Sequence, residues 1–445
     1  MEDGKGTGDE TRMRFLVNKE MAREEAEELW GKSYPKIALD IETVSLTNKI
    51  PLGIGVALSK EIAFYFFNPE DVLLNKILEQ PVYIHNAKFD LPILKKLNKI
   101  RDNWDDTLLL AYCNGVLEWN EHSLAQEYLH RELRSVTSLW VKKEQGNINI
   151  DHVELGQICM AHALATYEFS DKFPPNELYK TIDKPMLPLL IRMEQEGLLV
   201  DQYELTKIEL EFKNRAMQLE KELKSELGDI LLTSNSQVAK ALKSKGIQGV
   251  KKTKKAADSV SEEALKPLHH PLADKYLLFT KTNKMLSTYI PAFRAVDQQG
   301  RIHTSFGYTR TGRYNSSEPN LQNLTRGNLR NIIVARKGYT LVSLDGVQLE
   351  MVVMGVLSQD TVMLDFIGRG EDFHSGTCMT LYGRVTDQLR YDSKQGNFAT
   401  AFGASFYKLA EMLNKSEEEA KEFTELYFGK FKVLKEYIDK VRGQA

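Results

Sequence analysis

The sequence predicts an α/β first third followed by an α-rich remainder, and three observations carry that reading. Short runs rich in β-branched and aromatic residues follow one another from Pro35. Residues 201–227 repeat apolar side chains every three or four positions, and helical spacing returns after about residue 349 and holds to the end. At 445 residues, with 42% hydrophobic and 27% charged, the chain can bury several cores rather than one.

In order along the chain, residues 1–34 read as an extension: a polar, Gly-rich tip, MEDGKGTGDE, then a short charged helix through MAREEAEELW. The runs KIALDIET, LGIGVALS and EIAFYFFN predict three strands, DVLLNKILE a helix, VYIHN a strand, and a further helix begins near Lys88. That order makes a mixed sheet with helices packed on it. After about Pro174 helices take over. Leu205, Ile208, Phe212, Ala216, Leu219, Leu223 and Leu227 form a stripe that is core packing, not chemistry. A basic segment interrupts it: Lys240, Lys243, Lys245, Lys251, Lys252, Lys254 and Lys255 fall within 240–255 without one acid. Ser259 or Ser261 then caps the next helix. The polar stretch IHTSFGYTRTGRYNSSEPNLQNL leads to YTLVSLD, predicted as a strand ending on Asp345, and the last long helix opens with a capping box of Ser416 and Glu419.

The net charge of −3, from 59 basic and 62 acidic residues, gives no global signal for a polyanion, so such a partner would be held by local basic clusters. Three widely spaced cysteines without a CxxC pair argue against structural zinc and for free thiols in a cytoplasmic setting. No apolar stretch approaches the roughly 18 residues of a membrane span, and the N-terminus is not signal-like.

Asp40 and Glu42 in ALDIET stand two apart on a predicted strand, so both point to one face. Alone, such a pair is more often a solvated edge. Asp90 in HNAKFD, with Asn86 four residues earlier, and Tyr167 with Asp171 in YEFSD supply further acids and a phenol. Phosphodiester hydrolysis needs such hard oxygen ligands to hold two Mg²⁺ or Mn²⁺ ions about 3.5–4 Å apart. DxE, NxxxD and YxxxD in this order resemble the proofreading 3′-to-5′ exonuclease of DnaQ-like enzymes. Asp106 in WDDTL and the HSLAQEYL run resemble inter-motif segments of the exonuclease domain of bacterial DNA polymerase I. The resemblance implies a ribonuclease-H-like exonuclease domain over 35–180. In it Asp40, Glu42, Asp90 and Asp171 would ligate metal, Tyr167 would orient the water and Asn86 would touch DNA.

A second set lies further on. Glu350 opens the helical run LEMVVMGVLSQD five residues after Asp345, and RYDSKQGNFATAFG spaces Arg390, Lys394, Phe398 and Phe402 by four. A basic i,i+4 pair alone is bland, a solvated face. Aromatics continuing that face make a phosphate clamp beside a stacking platform, suited to a nucleoside triphosphate. From about residue 185 these segments resemble family A DNA polymerases, with Asp345 in motif A and Arg390 in motif B. TGRYNSSEPNLQN resembles the family's minor-groove-reading segment and EDFHSGTC its nucleotide-contacting helix.

The resemblance implies an incomplete right-hand polymerase domain over 181–445: thumb about 200–300, part of the palm about 301–360, part of the fingers about 361–445. Asp345 would then ligate both metals and Glu350 would block a ribose 2′-hydroxyl. Gln348, His374, Arg390, Lys394, Phe398 and Phe402 would surround the nucleotide. Arg313, Asn320, Gln322, Lys251, Lys252, Lys254 and Lys255 would contact DNA. Implied partners are a DNA primer-template and deoxynucleoside triphosphates, with Mg²⁺ or Mn²⁺ at both centres.

Departures from the family pattern accompany the matches. The chain reads DGVQLE where Asp-Tyr-Ser-Gln-x-Glu is common, and Ala399 and Phe402 stand where Gly and Tyr are usual. No His-Asp-Glu third motif, nor any His-Asp pair, occurs in the sequence. The expectation is therefore a truncated or naturally split polymerase, unable to extend primers until a second polypeptide brings the missing catalytic aspartate. From the short stretch before the exonuclease, the further expectation is a chain without a 5′-nuclease domain, which resembles phage enzymes more than full bacterial repair enzymes. A stand-alone exonuclease with a relic DNA-holding half is the alternative, and a non-catalytic DNA-binding scaffold a more distant one.

Overall fold

The computed structural model describes residues 15–17, 23–43, 50–67, 72–97, 100–136, 151–249, 251–252, 258–324 and 328–444. The chain divides into two compact units, Met1–Tyr339 and Thr340–Ala445.

The first unit starts with β1 (Phe15–Val17) and α1 (Arg23–Trp30), followed by β2 (Ile37–Thr43), β3 (Pro51–Ala57), β4 (Ala63–Phe66), α2 (Val72–Ile77), β5 (Val82–Ile84), α3 (Ala87–Lys96), β6 (Trp104–Asp106), α4 (Thr107–Cys113), α5 (Glu121–Leu129) and α6 (His152–Lys172). The strands form one sheet in the order β1-β4-β3-β2-β5-β6. β2 is central, antiparallel to β3 and parallel to β5, and its apolar start, Ile37–Leu39, is what a strand covered on both faces requires, before Asp40 and Glu42 interrupt it. The order of strands and helices from β2 to α3 is the one read from the sequence. The extension departs from that reading, because β1 adds an antiparallel edge to β4, pairing Phe15 with Phe66 and Val17 with Phe64. Three residues suffice to occupy backbone groups that an open edge would leave unpaired.

The two faces of the sheet are packed differently. Ile37, Leu39, Ile41, Ile54, Val56, Phe64 and Phe66 meet Leu91 and Leu94 of α3 and Leu109 and Leu110 of α4. On the other face the small residues Ala38, Ala57 and Ala63 join Tyr65 under Leu155, Cys159 and Ala163 of α6. Gly55 completes that floor, since a Cβ there would collide with the Cys159 carbonyl.

α7 (Lys184–Glu196) follows a π-helical turn and leads through β7 (Leu198–Leu199) to α8 (Gln202–Leu227). Asp201 caps α8 through the Tyr203 and Glu204 N–H groups, and Leu205, Ile208, Ala216, Leu219, Leu223 and Leu227 are buried along the anticipated stripe. α9 (Asn235–Ser244), α10 (Glu262–Leu265), α11 (Pro271–Lys284) and α12 (Ile290–Arg294) come next, with Ser261 at the N-cap position of α10. Then come β8 (Arg301–Ile302), which pairs with β7, the hairpin β9 (Ser305–Tyr308) and β10 (Tyr314–Ser317), and α13 (Asn328–Asn331).

YTLVSLD is not a strand. Residues 340–346 have no regular structure, and Val342 and Leu344 are 76% and 92% exposed. Alternating apolar side chains favour a strand only when a neighbouring strand takes up the backbone groups, and among the described residues none pairs with this segment.

The second unit is helical: α14 (Leu349–Ser358), α15 (Thr361–Gly368), α16 (Phe373–Tyr382), α17 (Asp387–Ala401), α18 (Phe406–Leu413), α19 (Glu417–Lys430) and α20 (Lys432–Arg442). Met351, Met363, Phe366, Phe373, Leu409, Phe423, Tyr427, Phe431 and Leu434 make its core. The Ser416–Glu419 capping box forms, but the anticipated last long helix breaks at Phe431 into α19 and α20. Buried Asp360 stabilises the break: Oδ1 caps α15, and Oδ2 accepts the Leu434 N–H of α20 at 3.1 Å. All three cysteines are free, and among the described residues no helix is long and apolar enough to cross a membrane.

Candidate active sites

In the first unit, β2 presents Asp40 and Glu42 on one face, opposite Gly55 and Gly53 of β3. Asp90 lies in the first turn of α3, whose N-cap residue Asn86 takes a left-handed conformation at φ 61°. A buried carboxylate fixes that turn. Asp106 accepts the Asn86 and Ala87 N–H groups at 3.1 and 2.9 Å and caps α4 through Leu108 at 2.9 Å. Burial pushes the Asp106 carboxyl up to about 7 against the pull of those bonds. Asp106 thus holds the turn between β5 and α3, and through it Asp90, while the Asn86 side chain stays exposed.

The three acids influence one another. Burial and the neighbouring Glu42 charge hold Asp40 well above the usual carboxylate range, burial raises Glu42 to about 7, and burial with the Asp40 and Glu42 charges raises Asp90. Asp40 Oδ2 and Asp90 Oδ1 are buried without a hydrogen-bond partner. Orphaned oxygens in a crowded carboxylate cluster fit a hard divalent cation such as Mg²⁺ or Mn²⁺, which would be held by Asp40, Glu42 and Asp90.

The fourth position differs from the sequence reading. Asp171 forms ion pairs with Lys36 and, at 3.0 Å, with Lys60, and the Lys36 ammonium lies 4.4 Å from the centre of the Tyr167 ring. Both expected site residues therefore sit with a pair of lysines, Lys36 just before β2 and Lys60 in the turn between β3 and β4. The residues brought to the acids are His162 and Glu121: one ligand atom from each of Asp40, Glu121 and His162 lies within 4.8 Å of the others. His162 stands nine residues before Asp171, about 13 Å along a helix axis, which is why the two cannot share a site. His162 Nδ1 is 2.6 Å from Glu121 Oε2 and Nε2 is 2.9 Å from the Arg134 carbonyl. Both partners accept only, so both ring nitrogens donate and His162 is an imidazolium. Burial opposes that charge, but the Glu121 bond and charge outweigh it and lift His162 to about 10. With both nitrogens protonated, His162 offers no lone pair to a metal and instead places a fixed cation beside Asp40. The sequence signal for it was slight: one histidine in the apolar run ICMAHALA.

In the second unit, α17 carries Arg390, Lys394 and Phe398 on one face, and Phe402, 62% exposed, ends it. Arg390 donates from Nε to Asp372 at 2.7 Å, while Lys394 is exposed and unpaired among the described residues. His374 is buried, its Nδ1 3.0 Å from the Asn397 amide nitrogen and its ring 5.4 Å from that of Phe398, and burial lowers its pKa. Gln348, left-handed at the N-cap position of α14, turns its amide to Asp372 and Phe373. Glu350 lies in the first turn of α14. Asp345 is exposed on the irregular segment, without a hydrogen-bond or ion-pair partner among the described residues.

The remaining residues read as DNA contacts lie in the first unit. Arg313 is in the turn between β9 and β10. Asn320 Oδ1 accepts the Gln322 N–H at 3.0 Å, and Gln322 donates its side-chain amide to the Tyr314 carbonyl at 3.0 Å, so both side chains hold the loop after β10. Lys251 pairs with Glu263 at 2.6 Å and Lys252 with Asp258. Surface pairs of this kind are weak and screened by salt, so they do not withhold a lysine from a phosphate. Lys254 and Lys255 lie outside the described residues.

A half-buried carboxylate cluster on a mixed sheet, and a helix that lines up cations and aromatics, are arrangements suited to chemistry on nucleic acid. Comparison with known proteins gives the family. Residues 202–445 match DNA polymerase family A, and residues 16–149 match a 3′-5′ exonuclease family. DNA polymerase I of Helicobacter pylori is 30% identical over 376 residues, covering 80% of this chain and 40% of that protein. DNA polymerase I of Geobacillus stearothermophilus is 26% identical over 444 residues, covering 92% and 51%. The chain thus spans about half or less of these relatives. Among solved structures, the POL domain of Pol1 from M. smegmatis, in complex with DNA primer-template and dNTP, aligns with a TM-score of 0.79 at 26% identity over 96% of this chain and 78% of that one. The chain belongs to DNA polymerase family A and carries a 3′-5′ exonuclease domain.

Proposed function

We propose that the chain removes nucleotides from DNA 3′ ends and transfers nucleotides only when further chain, in the same or a second polypeptide, brings an acid beside Asp345. The observation that carries the first half is the Asp40, Glu42 and Asp90 cluster with its orphaned buried oxygens. A divalent ion bound there would neutralise charge at the phosphate under attack and on the leaving oxygen. Asp106 keeps Asp90 in place, Asn86 offers an exposed amide to the DNA strand, and the His162 imidazolium tempers the negative charge of the acids. For the second half, Arg390 and Lys394 supply cations for a triphosphate and Phe398 an aromatic surface for the sugar and base. Asp345 stands exposed on a segment that no strand supports among the described residues, which favours a metal site completed from elsewhere. DNA primer-template and deoxynucleoside triphosphates are the proposed substrates, as named for the M. smegmatis neighbour. The bacterial relatives favour a cytoplasmic setting.

A gel assay of the purified chain on a 5′-labelled primer-template with Mg²⁺, with and without the four deoxynucleotides, tests both halves. Shortening in both lanes is expected. Lengthening with nucleotides would show that Asp345 needs no added acid, and an unchanged primer in both lanes would remove the exonuclease assignment.

A further inference from the structure

The nucleotide face of the second unit converges on a carboxylate that none of the roles above uses. Asp372, the N-cap of α16, accepts the Ser375 N–H at 3.0 Å, the Ser375 hydroxyl and Arg390 Nε at 2.7 Å through Oδ2, and the Gln348 amide at 2.9 Å through Oδ1. Gln348 closes the circuit by accepting the Phe373 N–H at 2.7 Å. One carboxylate thereby ties the start of α14, the start of α16 and the basic face of α17. Its grip on Arg390 is selective. Nε is bound, whereas the two terminal nitrogens of the guanidinium have no acceptor among the described residues and the side chain is 43% exposed. Lys394 lies one turn further on the same face.

We propose that Asp372 is a positioning residue for triphosphate binding: by holding Arg390 through Nε it aims the free end of the guanidinium, alongside Lys394, at the phosphates. A planar fork presented in one orientation binds a phosphate bidentately, whereas a free arginine must first be ordered by the ligand. Bonds from Ser375 and Arg390 also keep the carboxyl ionised against its burial, so the tether persists at neutral pH. The inference rests on reading this face as the triphosphate site, and its test separates the two.

The test is calorimetric titration of the full chain with dTTP and Mg²⁺, for the parent chain, Asp372→Asn, Arg390→Ala and the double variant. Asparagine caps a helix as well as aspartate, so a purely structural role predicts no change in affinity and an unchanged thermal melt. The expected result is about tenfold weaker binding for Asp372→Asn with the melt preserved, a comparable or larger loss for Arg390→Ala, and little further loss in the double variant. Weak binding by Arg390→Ala with parental or tighter binding by Asp372→Asn would overturn the positioning role and leave the site standing. Parental binding by Arg390→Ala, or no binding by the parent chain, would overturn the site itself.

Discussion

Asp40 and Asp345 are each set by an apolar run, and the two runs have opposite surroundings. β2 has hydrogen-bonded neighbours on both sides, α6 on one face and α3 with α4 on the other, so Asp40 and Glu42, half-buried, meet the buried Asp90. Residues 340–346 have no strand beside them among the described residues, and Asp345 stays exposed. The difference teaches that a strand-like pattern is a request for partners rather than a structure. A carboxylate acquires its chemistry from whatever answers that request.

The sharpest way to break this comparison is amide hydrogen exchange. β2 should exchange at least about a thousandfold more slowly than residues 340–346, since core strands open only with much of the unit while unpaired amides are open already. Equal protection would mean that the second run is ordered in solution. Next in size, Asp40→Ala should slow digestion of a labelled oligonucleotide by about 10²–10³-fold, while Asp345→Ala and Asp171→Asn should leave it within about twofold. A collapse in Asp171→Asn would return that residue to the site.

Smaller effects sharpen the account of the buried cluster. His162→Gln leaves Glu121 charged and buried, so urea unfolding should show a loss of about 3–5 kcal/mol; a loss under about 1 kcal/mol would deny the ion pair. The smallest effect concerns pH. Acids whose folded pKa is raised are protonated in the fold and lose stability as pH climbs from the ordinary carboxylate range to their folded value, about 7 for Glu42. Glu121 is held low, so its contribution is present above the ordinary range and fades on acidification. His162 is held high, so its contribution is complete below the ordinary histidine range and fades from about 6.5 until it is gone above about 10. Between pH 6 and 8 the folded His162 stays charged while Glu42 loses its proton, so Mn²⁺ should bind several-fold tighter at pH 8 and raise the melting temperature more there than at pH 6. Pressing the other way, affinity that falls with pH would contradict the raised carboxyls.

How much was legible follows the range of each interaction. Asp40 with Glu42, and the basic aromatic face of α17, were readable because i,i+2 on a strand and i,i+4 on a helix fix direction locally. Asp90 was readable as a first-turn acid. Tyr167 and Asp171 were misplaced because α6 runs for 21 residues and nothing in YEFSD says which turn rests on the sheet. That is decided by Gly55 and the alanines of β2, β3 and β4, a tertiary match between elements far apart in sequence. β1 was missed because three residues carry no periodicity, and YTLVSLD was overread because propensity was taken without a partner.

Gly55 has a meaning for function beyond packing. Its missing methyl sets how near Cys159 comes to the sheet, and His162 rides three residues further along the same helix. Any side chain at position 55 would lift α6 and carry the imidazolium off Asp40, with Asp40, Glu42 and Asp90 all still in the sequence. Side-by-side digestion assays of Gly55→Ala and the parent chain would measure that loss. On the proposed function, a chain altered there would keep every motif and yet no longer shorten a DNA 3′ end, a silent loss whose origin is one methyl group in a glycine contact.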